Sequence, residues 1–402
     1  MEYTIERLMA AFRNQLQLTS TAMVRSAMQD IDWQARLVGI RGARGVGKTT
    51  LILQYIKLHL RKQLKQTLYV SLDSLWFAEH SLLDLAEQFA QRGGRYLFLD
   101  EVHKYPNWSQ EIKNCYDQFP QLKIVFTGSS LLEILHGRAD LSRRAVVHEL
   151  PGLSFREYLQ LETAMPLESY PLKDVLLRHE EITAAVLEKL KPFRYWSSYL
   201  KNGYYPFHRE RDQAYFRKIQ EVINVGLELE LPQLRGVDTA YVPRLKQLLF
   251  IIAQGVPFVP NVSKLSAKIG LQRSTLLRYL HYLEEVKLTQ NIFKEAHGIS
   301  KLQKPQKVYL ENTNLMYALA EEEVNAGSVR ETFFANQLQY HHKLHYPGEG
   351  DFLVDGTYNF EIGGKGKKTR QIKKAARGYI AVDDLEYGFA EKIPLWLFGF
   401  LY

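Results

Sequence analysis

One cysteine, Cys115, is all that this chain of 402 residues contains, so no intrachain disulfide and no cysteine-rich zinc site can form. That scarcity fits a reducing compartment. Long apolar runs are missing too: none approaches the roughly 20 residues that a bilayer-spanning helix needs. The greasiest stretch, Ile393 to Tyr402, is too short and reads as a buried terminal strand. The N-terminus carries Glu2, Glu6 and Arg7 where a signal peptide would have an apolar core. The expectation is a cytoplasmic protein with no membrane partner. There is no internal repeat and no low-complexity linker, which excludes solenoids and flexible tethers.

Acid is the scarcer charge. Against 52 lysines and arginines stand 44 aspartates and glutamates, a net charge of +8. Such an excess suits a polyanionic partner, because neutralising phosphates releases counterions. A basic surface without a partner accounts for it equally well. Hydrophobic content of 46% with 24% charged residues is that of an ordinary globular protein. The length is too great for one core, so several domains are expected.

Between about residues 30 and 155, short apolar runs alternate with helical patterns, as in a doubly wound α/β sheet. The expected strands are Leu37–Ile40, Leu68–Ser71, Tyr96–Leu99, Leu122–Phe126 and Ala145–Leu150. Residues 156–238 read as helical. Residues 239–320 are helical and end in a strand-like stretch, Lys307–Leu310. Residues 321–402 mix a helix, strands and a basic stretch.

Gly42-Ala43-Arg44-Gly45-Val46-Gly47-Lys48-Thr49 fits the phosphate-binding pattern GxxxxGK[ST]. Its glycines let the backbone turn tightly and aim N–H groups at phosphates, helped by the positive end of the following helix. Lys48 would reach the β- and γ-phosphates of ATP, and the Thr49 hydroxyl would ligate Mg2+. The context supports this: Leu37-Val38-Gly39-Ile40 is a buried-strand run before the loop, and Thr50 to Ile56 begins a helix after it. About fifty residues on, Tyr96-Leu97-Phe98-Leu99 ends in Asp100-Glu101. Asp100 would hold the magnesium through water, and Glu101 would orient and deprotonate the attacking water. An isolated Asp-Glu pair after a strand is often only a solvated turn; the phosphate loop upstream argues otherwise. Lys123 to Ser130 reads as another central strand, able to present Thr127 or Ser129 to the γ-phosphate, although Gly-Ser-Ser is also plain turn chemistry.

In these residues the chain resembles the prokaryotic AAA-type P-loop ATPases often described as AAA_14 with a C-terminal DUF4143 region. The resemblance rests on residues 39–50, Leu-Phe-Leu-Asp-Glu-Val-His (97–103), Phe-Thr-Gly-Ser-Ser (126–130) and Leu-Pro-Gly-Leu-Ser-Phe-Arg-Glu-Tyr (150–158). Gly-Tyr-Tyr-Pro (203–206), Glu361-Ile-Gly-Gly-Lys365 and Pro394-Leu-Trp-Leu-Phe-Gly-Phe add to it. It implies an α/β fold with a parallel P-loop NTPase sheet of AAA/ASCE type over residues 1–155, then a helical lid (156–238). A winged helix (239–320) and a restriction-endonuclease-like α+β domain (321–402) follow. It also implies an arginine that completes the γ-phosphate site, and Arg144 of the Arg143-Arg144 pair is the best match. An arginine acting between subunits would make the protein a homo-oligomer.

Residues 262–271 and 274–283 read as two short helices across a glycine turn, with Leu265, Ile269, Leu276, Leu280 and Leu283 at core spacing. A second helix of this kind can enter the major groove of double-stranded DNA. Glu284-Glu285 at its end would repel phosphates, which favours a protein-docking role. Further on, a helical Glu331, then Asp351, then Glu361 in a strand are the acids of a nuclease-like constellation. Gly363 stands where its lysine belongs, and Lys365 serves only if Gly363-Gly364 fold it back. The basic run Lys365, Lys367, Lys368, Arg370, Lys373, Lys374 and Arg377 suits a nucleic-acid backbone or a solvated face. Three roles stay open: a DNA-associated ATPase, a nucleotide-controlled protein-binding switch, and an ATP-dependent nuclease.

Overall fold

The structure is a computed structural model that describes residues 5–128, 141, 143–209, 212–295, 304–320, 323–366 and 377–402. Two compact units divide the chain, Met1–Gly152 and Leu153–Tyr402.

In the first unit five strands, β1 (Leu37–Arg41), β2 (Thr67–Ser71), β3 (Tyr96–Asp100), β4 (Lys123–Gly128) and β5 (Val146–Glu149), form one sheet in the order β2-β3-β4-β1-β5. Every pairing is parallel. Parallel sheets are covered on both faces, which is why β1 to β4 read as unbroken apolar runs rather than alternating ones. Leu37, Leu68, Leu97, Leu99, Ile124 and Phe126 are buried in a single core cluster. The longer helices described here are α1 (Ile5–Leu18), α2 (Lys48–His59), α3 (Leu82–Gln91) and α4 (Trp108–Gln118). α3 starts at a capping box in which Ser81 and Asp84 satisfy each other's backbone N–H. The topology has one functional consequence. β4 lies between β1 and β3, so the phosphate loop and the Asp-Glu turn leave the same sheet edge with one strand between them.

The second unit holds a seven-stranded mixed sheet in the order β12-β11-β10-β9-β8-β6-β7. Its strands are β6 (Thr289–Lys294), β7 (Lys307–Leu310), β8 (Leu344–Tyr346), β9 (Phe352–Val354), β10 (Tyr358–Gly363), β11 (Gly378–Val382) and β12 (Lys392–Pro394). Long helices in this unit are α5 (Phe155–Thr163), α6 (Leu172–Lys189), α7 (Phe193–Asn202), α8 (Asp212–Val225), α9 (Val242–Gln254), α10 (Val262–Ile269), α11 (Arg273–Glu285) and α12 (Ala326–Leu338). β6 and β7 belong to the same sheet as the C-terminal strands, because β6 pairs in parallel with β8.

Segments quoted for the family resemblance here carry structure. Ser154 and Glu157 form the capping box of α5, while Ser154 Oγ and Arg156 Nε both donate to the Tyr402 carbonyl at 2.8 Å. Asn314 ties the Gly-Tyr-Tyr-Pro segment down: its Oδ1 accepts from the Tyr204 N–H at 2.7 Å and from the Tyr215 hydroxyl at 2.5 Å. The C-terminal stretch corrects an expectation. Only Ile393 and Pro394 of it lie in a strand, and Leu395–Phe400 is a 3-10 helix buried all round. Pro394 has no N–H to continue the ladder, and an apolar run alone does not distinguish a strand from a buried helix. Among the described residues no helix is long and apolar enough to cross a membrane.

Candidate nucleotide site

β1 ends at Arg41 and α2 begins at Lys48, leaving six residues to turn the chain. Gly45 and Gly47 take φ of 83° and 99°, a region that side chains with a Cβ avoid. Gly42 is required for another reason: a Cβ there would stand 2.3 Å from the Leu150 carbonyl oxygen. Arg44, Gly45 and Thr50 are exposed, while Ala43 is partly so. Val46 and Lys48 are buried. The Lys48 ammonium curls back over the loop and donates to the carbonyls of Gly42 (2.8 Å) and Ala43 (2.9 Å).

Asp100, at the carboxyl end of β3, is 2% exposed and fully engaged. Its Oδ2 accepts from the Thr49 hydroxyl at 2.6 Å and the Tyr69 hydroxyl at 2.7 Å. Its Oδ1 accepts from the Thr127 hydroxyl and, at 3.2 Å, from the Glu101 N–H. Burial, then the Asp100 charge, push the Tyr69 phenol far above its ordinary pKa, so it donates throughout. Thr127 Oγ1 also accepts from the Glu101 N–H at 3.1 Å. That grip coincides with a left-handed backbone at Glu101, φ 54° and ψ 41°. Burial raises the Glu101 carboxyl above the ordinary carboxylate range, Lys48 pulls it back, and Asp100 raises it. His103 Nε2 stands 3.4 Å from Glu101 Oε2. The imidazole is buried, and its pKa falls to about 3, chiefly through that burial and then through Lys104, Lys48 and Arg44. The ring is therefore neutral at ordinary pH.

Residues 34–159 match the family model described as AAA domain, AAA_14. Residues 34–159 are an AAA-type domain. A second match, over residues 194–325, is to a domain of unknown function, DUF8612; the C-terminal DUF4143 region that the resemblance implied is not shown. An uncharacterized protein of Methanocaldococcus jannaschii is 26% identical over 388 residues, spanning 87% of this chain and 81% of its own. Among solved structures, a Walker-type ATPase of Pyrococcus abyssi aligns over 79% of this chain and 96% of that one, at 15% identity and a TM-score of 0.37. DnaA from Aquifex aeolicus, bound to AMPPCP, aligns over 71% and 90%, at 14% identity and a TM-score of 0.27.

Of the expected site residues, Arg144 is not at the phosphate loop. Ser129 lies outside the described residues. Arg144 precedes β5, and β5 pairs in parallel with β1 at Val38↔Val146, so Arg144 stands at the amino end of the strands. The loop leaves their carboxyl end. There Arg144 clasps Asp117 with Nε–Oδ1 at 3.0 Å and Nη2–Oδ2 at 3.1 Å.

Three residues of the first unit carry geometry that the linear pattern hides. Tyr69 and His103 have been described. Arg25 is the third: it is 6% exposed and donates at 2.8 Å to the carbonyls of Val46, Pro151 and Gly152. It staples the phosphate loop to the chain leaving β5. The α2 side chains Gln54 and Lys57 hold the carbonyls of Ser20, Met23 and Thr19 in the same segment at 2.6–2.8 Å.

In the second unit Glu331 lies on a helix and Glu361 in a strand, as expected, and it is the lysine that differs. Glu331 on α12 and Asp351 beside β9 do meet, but the lysine between them is Lys307 of β7. Its Nζ is 3.5 Å from Glu331 Oε2 and 3.3 Å from Asp351 Oδ1. The Tyr309 hydroxyl donates to Glu331 at 2.6 Å, and Asp351 Oδ2 accepts from the Ile362 N–H at 2.8 Å. Lys365 is in an exposed turn beyond β10 and is not folded back. Glu361 is buried in β10. Among the described residues no three histidine, cysteine or acidic side chains are grouped to hold a metal. Of the basic run, Lys367, Lys368, Arg370, Lys373 and Lys374 lie outside the described residues.

Proposed function

We propose that this protein binds ATP with Mg2+ at residues 42–49 and hydrolyses it. The observation carrying the proposal is the 2.6 Å hydrogen bond from Thr49 to Asp100, with Glu101 next along the chain. A hydroxyl and a carboxylate meeting at the head of a phosphate loop are hard oxygen donors, which suit magnesium. Thr49 and Asp100 would hold the ion, Asp100 through water. When bound, magnesium neutralises phosphate charge and polarises the phosphoryl oxygens.

The chain's own residues do the rest. N–H groups of Gly42 to Lys48 and Thr49 cradle the phosphates. Lys48 exchanges two carbonyls for phosphate oxygens, and Glu101 accepts the proton of the attacking water. Fluorescent ATP-analogue binding tests the cradle: Lys48→Ala is expected to weaken it at least tenfold, and unchanged affinity would contradict the assignment.

For the coupled role, a DNA-associated cycle is the better supported reading. Glu284 accepts from Asn291 N and Nδ2 at 2.9 and 3.0 Å, and Glu285 is ion-paired with Arg235. The two acids that argued against DNA are thus engaged within the protein. Lys264, Lys268, Arg273 and Arg278 remain exposed on α10 and α11, which suits the winged-helix reading of this region. Arg278→Glu should weaken duplex binding and flatten its salt dependence; a protein partner is the reading left if no duplex binding occurs. In a homo-oligomer, Arg144 would serve a neighbouring subunit's site. Lys365 in an exposed turn does not favour the nuclease reading.

A further inference from the structure

The turn that carries Glu101 has the order Asp100-Glu101-Val102-His103, and the fourth residue has no place in the cycle just described. His103 belongs to a 3-10 turn, Val102–Lys104, which brings its ring back over the residue two before it. Its side chain is 5% exposed, against 25% for Glu101, so the ring is the more deeply buried of the two. Nε2 stands 3.4 Å from Oε2. Hydrogen bonds between catalytic groups are often long without substrate and tighten in the reacting complex.

Around the pair, Lys48, Arg44 and Lys104 contribute positive charge. A mobile glutamate among these cations would swing to pair with Lys48, which must be free to meet phosphates. The backbone of Glu101 is already fixed by Thr127 and Asp100. Only its side-chain torsions are left to set.

We infer that His103 is the positioning residue for Glu101: its Nε2–H donates to Oε2 and holds the other carboxylate oxygen toward the attacking water and away from Lys48. This rests on Glu101 acting as the water-activating base. A neutral donor suits the task, since it orients the carboxylate without neutralising it. The general principle is that a base depends on a third group to orient it.

The test uses the full chain and separates orientation from folding. His103→Leu is expected to lower kcat by about tenfold or more, as loss of an oriented base does, while nucleotide affinity stays within about twofold. His103→Gln, whose amide nitrogen reaches where Nε2 lies, should restore most of the rate; His103→Asn, one bond shorter, should not. In a Glu101→Gln background, His103→Leu should change residual turnover by less than about twofold, because the group it orients is gone. Wild-type kcat in His103→Leu, equal losses in both backgrounds, or Gln and Asn behaving alike would each overturn the inference while leaving the ATPase reading intact. Should the leucine variant not fold, the Gln-against-Asn comparison decides alone. Wild-type protein that binds ATP but never turns it over would overturn the inference together with the reading beneath it.

Discussion

The Thr49 hydroxyl donates to the Asp100 carboxylate across 2.6 Å, joining the first turn of α2 to the end of β3. The two residues are 51 positions apart in sequence. Their meeting is a product of strand order, because β1 and β3 flank β4 in a parallel sheet. Tyr69, Thr127 and the Glu101 N–H complete the ring of donors on the same carboxylate.

Removing one of those donors is informative. Tyr69→Phe deletes a buried hydrogen bond to an anion and should cost about 1.5–3 kcal/mol of stability. Asp100→Ala strands three hydroxyls at once and should cost more. Urea unfolding of the three proteins checks the order, and a Tyr69→Phe protein as stable as wild type would contradict it.

Arg25 should matter to nucleotide binding without touching nucleotide. Arg25→Ala releases the Val46 carbonyl from Pro151 and Gly152, so the loop loses its anchor. Weaker ATP-analogue binding and a stability loss of at least about 2 kcal/mol are expected. Arg25→Lys should recover only part of either, because an ammonium cannot span carbonyls as a planar guanidinium does.

Burial of a neutral His103 sets a pH dependence. Its pKa drops from 6.5 unfolded to about 3 folded. Between these values the unfolded chain binds a proton that the folded chain refuses, so stability falls as pH drops through that window. His103→Gln should lose less stability than wild type between pH 6.5 and 4, measured by denaturant midpoint at each pH.

In the second unit, Lys307 is ion-paired with both Glu331 and Asp351. Burial, then Asp351, already raise the Glu331 carboxyl, with Lys307 opposing them. Lys307→Met should therefore destabilise by about 3 kcal/mol, the scale for leaving buried charge unpaired. Lys365→Ala, in an exposed turn, should stay within about 0.5 kcal/mol.

Much of the AAA-type domain was legible in the sequence, because its strands are local apolar runs and its phosphate loop is a contiguous pattern. The five expected strands lie within a residue or two of β1 to β5. Tyr69 was not legible: its hydroxyl matters only once β2 is known to lie beside β3, with Ser71 opposite Asp100. His103 was quoted within a motif, yet nothing in the motif shows a 3-10 turn folding it onto Glu101. Lys307 was invisible for a stronger reason, since the pattern sought a lysine two residues after Glu361. The sheet supplied one from β7, which precedes Glu361 by more than fifty residues.

Phosphate release from ATP by the full chain with Mg2+, beside Glu101→Gln, decides whether this protein is an ATPase. Steady release by the wild type, at least about a hundredfold slower release by the variant, and equal ATP-analogue affinity in both are expected. Release that is unchanged by Glu101→Gln, or absent from wild-type protein that binds ATP, would contradict the ATPase reading.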